Sequence, residues 1–308
     1  MPQHYKFTAV PDIFASFAAD CAADPKLKIK TQPDLALLPR AYESDGPSSA
    51  GKSQWERFAA YVGWLNERAE DGVCYKVLYL TRHGQGWHNV VHERVGTEEW
   101  DNNLSKLDGD GTLSWSDAHL TPEGQSQATA LSSFWTSLIS SGAPIPERLY
   151  TSPLTRCLET TDHIWRPIFA ARALPFSPII KENLREQITD HTCDRRSPLA
   201  RIRELFPAYT VEDGFTEEDG LWRADVWEPL GDHCVRKQRV LEDIFAREEG
   251  AADFLSLSIH SFAIAVILHV CGAEMFRVSE GTSIGILVRA EKVDAPPTFE
   301  VGDRLEGF

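Results

Sequence analysis

The chain has 308 residues, a formal net charge of −15, 42% hydrophobic residues and 25% charged residues. That balance is ordinary for a globular protein and long enough for one α/β domain with an appendage, while so acidic a chain makes nucleic acid and anionic membrane unexpected partners, since both call for a basic face. No stretch approaches the ~20 apolar residues of a membrane span, Met1-Pro2-Gln3-His4 opens without an apolar leader core, and Cys21, Cys74, Cys157, Cys193, Cys234 and Cys271 show no paired short spacing, so reduced thiols and a cytoplasmic address are expected.

Residues 1–52 are mixed in character, and Ser44 to Gly51 is a loop by composition. Trp55, Phe58, Ala59, Val62 and Leu65 then recur at helical spacing, which predicts an amphipathic helix over 53–69. Residues 1–72 therefore read as an N-terminal extension packed on the core, with a lid or partner surface as the other use. Residues 73–308 read as the main domain.

In that domain the pattern alternates: strand 74–81, helix 121–140, strand 147–151, helix 154–171, strand 176–182, helix 235–248, strand 253–260, helix 261–271, strand 283–289. Thr121-Pro122 suits a helix start, with Thr as cap and Pro at the first helical position. Such alternation predicts an α/β fold of three layers, α/β/α, around a mostly parallel sheet. Two polar insertions carrying tryptophans, about 86–119 and 187–234, interrupt it. Segments of that length are expected to be functional covers or mobile.

Strand ends carry the chemistry. Val77-Leu78-Tyr79-Leu80-Thr81 delivers Arg82-His83-Gly84 at its end, where open α/β sheets place their ligands. The Arg offers a planar fork of donors for phosphate oxygens, and the His can serve as nucleophile, base or metal ligand. Three further segments follow in order: Ser152-Pro153-Leu154-Thr155-Arg156 opening a helix, Leu184-Arg185-Glu186 after an apolar stretch, and a strand ending in His260-Ser261. Other features are declined. His88 and His92 stand four apart without the Glu of a zinc-protease helix, Asp108-Gly109-Asp110-Gly111 lacks the later ligands of a calcium loop, Cys193 has no sign of an activated thiol, and no Walker lysine follows a Gly-rich loop.

Together these four motifs resemble the histidine phosphatase (phosphoglycerate-mutase-like) superfamily over about residues 74–290. Arg82-His83-Gly84-Gln85-Gly86-Trp87-His88-Asn89, Trp100-Asp101, Leu120-Thr121-Pro122-Glu123-Gly124 and His191-Thr192-Cys193-Asp194-Arg195-Arg196-Ser197 look like its fungal phosphomutase-like branch. The resemblance implies a phosphoglycerate-mutase-like fold and a phosphorylated histidine at His83. It implies a phosphate pocket of Arg82, Arg156 and His260, completed by Asn89, and Glu186 as proton donor and then base. Ser261 stands where most members carry Gly and borders the same pocket. Arg195 and Arg196 could reach a second anionic group of the substrate, or could pair with the surrounding acids.

The expected reaction is hydrolysis of a small phosphorylated metabolite through phospho-His83, without metal or other cofactor, since Arg and His neutralise the phosphoryl charge. A phosphomutase and a non-catalytic phospho-ligand-binding protein are the alternatives. Trp87, Trp100, Trp115, Trp222 and Trp227 hint at a ring-bearing leaving group or simply at core packing.

Overall fold

The computed structural model describes residues 3–299; residues 1–2 and 300–308, the latter at the end of the expected 73–308 domain, lie outside the described residues. Among the described residues, seven strands form one sheet, in the order β1 (His4–Ala9), β7 (Thr282–Val293), β2 (Val73–Arg82), β6 (Phe254–Ile259), β3 (Arg148–Thr151), β4 (Ile179–Ile180), β5 (Thr210–Val211). From β2 to β5 all neighbours are parallel, and β7 alone runs antiparallel to the strands beside it. The expected mostly parallel α/β/α architecture is the observed one.

The pleat sorts side chains onto two faces. Leu78, Leu80, Leu255 and Leu257 pack with α8 (Leu230–Arg247) and α9 (Ser261–Val270) on one face. Val77, Tyr79, Leu149 and Phe254 pack with α2 (Gln54–Glu67), α5 (Pro122–Ser140) and α6 (Thr155–Ala170) on the other. Each large aliphatic side chain buried this way contributes about 1.5–3 kcal/mol. The central strands are therefore apolar on both sides, as parallel strands between helical layers must be.

Local chemistry fixes the helix starts. Ser53 Oγ accepts from the Glu56 amide at 3.1 Å, and Glu56 returns the bond to the Ser53 amide at 2.7 Å, closing α2 in a reciprocal cap. Thr121 Oγ1 accepts from the Gly124 amide at 3.0 Å, with Pro122 as first residue of α5.

Three local differences from the sequence reading have physical causes. The strand expected over 176–182 shortens to Ile179–Ile180, because Pro178 has no N–H to give a ladder and Glu182–Leu184 turns into a 3-10 helix. Helix α8 begins at Leu230, five residues before the expected 235, directly after Pro229. The N-terminal region supplies an edge strand, β1, whose Tyr5 and Phe7 point into the core.

The insertions are structured as well. Helices α3 (Trp87–Val95) and α4 (Thr97–Asn102) occupy the first, and α7 (Leu199–Leu205) the second. Val91, Trp100, Trp115, Ala118 and Cys193 form a small shared core between them. Thr192 Oγ1 donates to the Leu107 carbonyl at 2.6 Å, the Ser197 amide to Asp117 Oδ2 at 2.9 Å, and Lys106 pairs with Asp190. The two insertions thus make one cap over the carboxyl ends of the parallel strands.

Candidate active site

Strands β2, β6 and β3 end side by side: the His83 amide bonds the Ile259 carbonyl at 3.0 Å and the Ser152 amide the Ser258 carbonyl at 3.0 Å. That register brings Arg82, His83, Ser152 and His260 to one edge, with Arg156 in the first turn of α6. Gly84 makes the approach possible. It lies against Gly124 at the start of α5 so closely that a Cβ on either would collide with the facing backbone.

A cavity of about 680 Å³ opens there, lined among others by Arg82, His83, His88, Asn89, Arg156, Glu186, Asp194, His260, Ser261 and Arg277. His83 Nδ1 faces the Gly84 carbonyl at 2.7 Å, a bond that requires a proton on Nδ1 and leaves Nε2 as a lone pair. Arg156 Nε stands 3.3 Å from that Nε2. Burial, together with the charges of Arg156 and Arg82, holds His83 far below the ordinary imidazole range. A neutral imidazole with an unprotonated Nε2 beside guanidinium groups is the form that can attack phosphorus.

Arg156 is held by the Cys193 carbonyl at 2.7 Å and stands 3.7 Å from Asp194. Arg82 gives Nη1 to the Val278 carbonyl at 2.7 Å and Nη2 to Glu280 at 2.5 Å, while its buried Nε has no hydrogen-bond partner among the described residues. His260 is fixed by Ser152 Oγ at 2.8 Å, its ring 5.1 Å from that of His83. Burial and Arg156 keep it neutral too.

Glu186 leaves the sheet on the loop after β4. Arg236 donates to its carbonyl at 2.7 Å, and Lys237 to the carbonyls of Asn183 and Arg185. Its carboxylate accepts from the Phe262 amide at 3.0 Å and the Gln187 amide at 3.1 Å. Although part of the side chain faces the cavity, loss of solvent raises its affinity for a proton, against the pull of the Phe262 amide and Lys237. Asp194 is raised by burial as well. Asp190 is not: burial pushes it up, but bonds from Lys106 and Trp227 hold it below the usual carboxylate range.

Asn89 borders the cavity while its Oδ1 accepts from the Gly86 amide at 2.9 Å and closes the first turn of α3. Ser261 borders it at the start of α9. Arg195 and Arg196 lie elsewhere. Arg195 bonds Asp108 at 2.7 Å and Ser116 at 3.0 Å across the cap, and its guanidinium covers the Trp222 ring. Arg196 is buried against Glu182 and the carbonyls of Thr216 and Glu218. Their pairing partners, remote in sequence, replace the substrate contact considered for them. Of the five tryptophans, Trp100 and Trp227 border the cavity.

His88 joins the site although it was declined as a zinc ligand and assigned no role within the Arg82–Asn89 motif; its ring centroid is 5.6 Å from that of His83. The signal was its place in the turn after Arg82-His83-Gly84, one residue before Asn89. Among the described residues, His191, Cys193 and Asp194 could bring ligand atoms within 4.8 Å of one another for a metal. Asp194 is already engaged by Thr189 Oγ1 at 2.6 Å and by Arg156, and burial with Asp194 pushes the Cys193 thiol well above its usual range. A metal would have to displace both arrangements.

Comparison with known proteins matches this frame. The family model described as histidine phosphatase superfamily (branch 1) fits residues 78–278. A protein of Arthroderma benhamiae named "Probable phosphoglycerate mutase" is 42% identical over 307 residues, 98% of this chain and 90% of that one. "Phosphomutase-like protein 3" of Candida albicans is 32% identical over 76% of this chain and 71% of its own length. The α-ribazole phosphatase of Shigella flexneri, a solved structure, is 18% identical over 68% of this chain and 89% of that one, with a TM-score of 0.42. The chain belongs to the histidine phosphatase superfamily, branch 1, and shares nearly its whole length with a phosphoglycerate-mutase-like protein of fungi.

Proposed function

We propose that the protein is a phosphomonoester hydrolase that works through phospho-His83 on a small phosphorylated metabolite. The observation that carries this reading is the orientation of His83, with Nδ1–H on the Gly84 carbonyl and Nε2 beside Arg156 in the cavity. In the first step Nε2 attacks phosphorus in line, the ester P–O bond breaks, and the departing oxygen takes the proton of Glu186. In the second, the Glu186 carboxylate takes a proton from water, the hydroxide oxygen attacks phosphorus, and the P–N bond breaks to free phosphate and neutral His83. Arg82 and Arg156 stabilise charge on the phosphoryl oxygens throughout, the part a metal plays in other phosphatases. His83, Glu186, Arg82, Arg156 and His260 form the catalytic group, and Asn89 and Ser261 border the substrate.

Names among the relatives favour a mutase as the second reading, with the same phosphohistidine returned to a bound sugar acid. A mutase must keep water from its phosphoenzyme, whereas a cavity of about 680 Å³ accommodates a drug-sized ligand and leaves room for water beside a three-carbon acid. Phosphate release from phosphomonoesters is therefore expected without added bisphosphate, with little conversion of 3-phosphoglycerate to 2-phosphoglycerate. Isomerisation faster than phosphate release on that substrate would establish the mutase. Single-turnover labelling should mark wild-type protein and miss His83→Ala; persisting label would move the nucleophile elsewhere. Turnover should also survive chelation by EDTA.

A further inference from the structure

Of His83, His88 and His260, whose rings cluster in the cavity, His88 alone makes no ring hydrogen bond to a described protein group. His83 is fixed through Gly84 and His260 through Ser152. The Nδ1 of His88 is buried with no hydrogen-bond partner. That edge of the ring is pressed on Gly86, where a Cβ would stand 2.7 Å from both Nδ1 and Cε1. Nδ1 is thus sealed against backbone, and Nε2 is the polar edge left toward the cavity that His88 lines with His83.

The two neutral tautomers differ sharply here. A proton on Nδ1 would be a buried donor without an acceptor, the arrangement folded proteins most avoid. A proton on Nε2 leaves only an unfilled lone pair at the sealed edge and puts a donor in the cavity. Burial and the nearby guanidinium of Arg156 keep the ring from taking a second proton. His88 is then the mirror of His83: one presents a lone pair, the other an N–H.

We propose that His88 donates its Nε2–H to a non-bridging oxygen of the phosphoryl group on its way to and from His83, making it a substrate-binding and catalytic residue of this site. The inference rests on the phosphoryl-transfer reading above. The two ring centroids stand 5.6 Å apart, so a group bound to His83 Nε2 fills the space that both rings border. No proton changes hands. A neutral donor adds stabilisation to oxygens already served by Arg82 and Arg156 without adding a third buried positive charge. Gly86 belongs to the same device, because only a residue without Cβ lets the ring lie where it does.

The test uses the full chain, with vanadate as the oxyanion probe and p-nitrophenyl phosphate as substrate. His88→Phe keeps the ring volume without a donor, His88→Gln restores an amide N–H, and Gly86→Ala pushes the native ring aside. His88→Phe and Gly86→Ala should each weaken vanadate inhibition and lower kcat/KM by about 10- to 100-fold, the effect of one hydrogen bond to a charged group. His88→Gln should regain most of both. A His88→Phe protein within about twofold of wild type in both measurements would overturn the proposal. Nitrogen-15 NMR of the wild type gives an answer that needs no variant: the Nε2–H tautomer at His88 supports the donor, and the Nδ1–H tautomer overturns it. Wild-type protein that neither hydrolyses phosphomonoesters nor binds vanadate would overturn the phosphoryl-transfer reading itself, and this inference with it.

Discussion

The environments of His83 and Glu186, the nucleophile and the acid of the proposed reaction, push their proton affinities in opposite senses. His83 is held neutral far below the ordinary imidazole range, so its protonation should not cut activity as pH falls through about 6.5. Glu186 is raised, so its carboxyl stays protonated above the ordinary carboxylate range and is lost as pH rises through the raised value. Alkyl phosphates, which need a protonated leaving group, should therefore show an alkaline fall in kcat that Glu186→Gln abolishes, together with a loss on the order of 10²–10⁴. Aryl phosphates should lose far less. An unchanged alkaline limb in Glu186→Gln would pass the acid role to Asp194, the other cavity carboxyl raised by burial. Arg82, His83, Arg156 and His260 were legible in the sequence because each ends a strand or opens a helix inside a recognisable word. Arg195 and Arg196 were not, because Asp108 and Glu182, which claim them, meet them only in three dimensions. His88 was hidden for a similar reason: its orientation depends on the missing side chain of Gly86.

At the level of elements, the contact between Gly84 and Gly124 ties the loop after His83 to the first turn of α5. A Cβ at 124 would strike the Gln85 backbone. Gly124→Ala should therefore lower stability by about 1–3 kcal/mol, as overpacking of a dense interior does. It should lower turnover by a larger factor than a stability loss of that size explains, because the displaced backbone is that of Gln85, two residues from His83. Denaturant titration beside kcat/KM separates the two; a stability loss with unchanged turnover would show that the loop can move without carrying His83. Helices α2, α5, α6 and α9 and strands β2, β3 and β6 were readable to within a residue or two, since period-3.6 and buried runs persist there, whereas the start of α8 was five residues off. Strand β1 carried its alternation in only six residues, Tyr5 and Phe7 inward and Lys6 and Thr8 outward, too short to stand out from a mixed N-terminal region. The helices of the cap were obscured because their apolar residues face one another across two insertions rather than the sheet.

Across the whole molecule, the second insertion is fastened through buried ion pairs. Asp219 accepts from Arg185 at 2.8 Å through each oxygen and from the Arg196 amide at 2.9 Å. Burial alone would raise it, but these partners, Arg185 foremost, bring its carboxyl down to about 2. A depressed folded-state value contributes stability that is present above the unfolded value near 4 and lost as pH falls through about 2, worth about 2 kcal/mol. Asp219→Asn should flatten the fall in stability across that window, read from urea midpoints between pH 5 and pH 2. A fall as steep as that of wild type would place the acid sensitivity in other carboxylates, Glu228 beside Arg236 being the next.

The joined insertions also set the unit in which this protein can be exchanged with its relatives. Lys106 with Asp190, Asp108 with Arg195, Leu107 with Thr192 and Asp117 with Ser197 all span the two segments. A chimaera that imports residues 86–119 from a relative and keeps its own 187–234 inherits half of each pair and strands the other half. Recombinants should therefore fold and keep their parent's substrate preference only when both segments travel together: breakpoints between α2 and β2 or between α8 and β6 should be tolerated, whereas a breakpoint between α5 and α6, which gives the two segments different parents, should not.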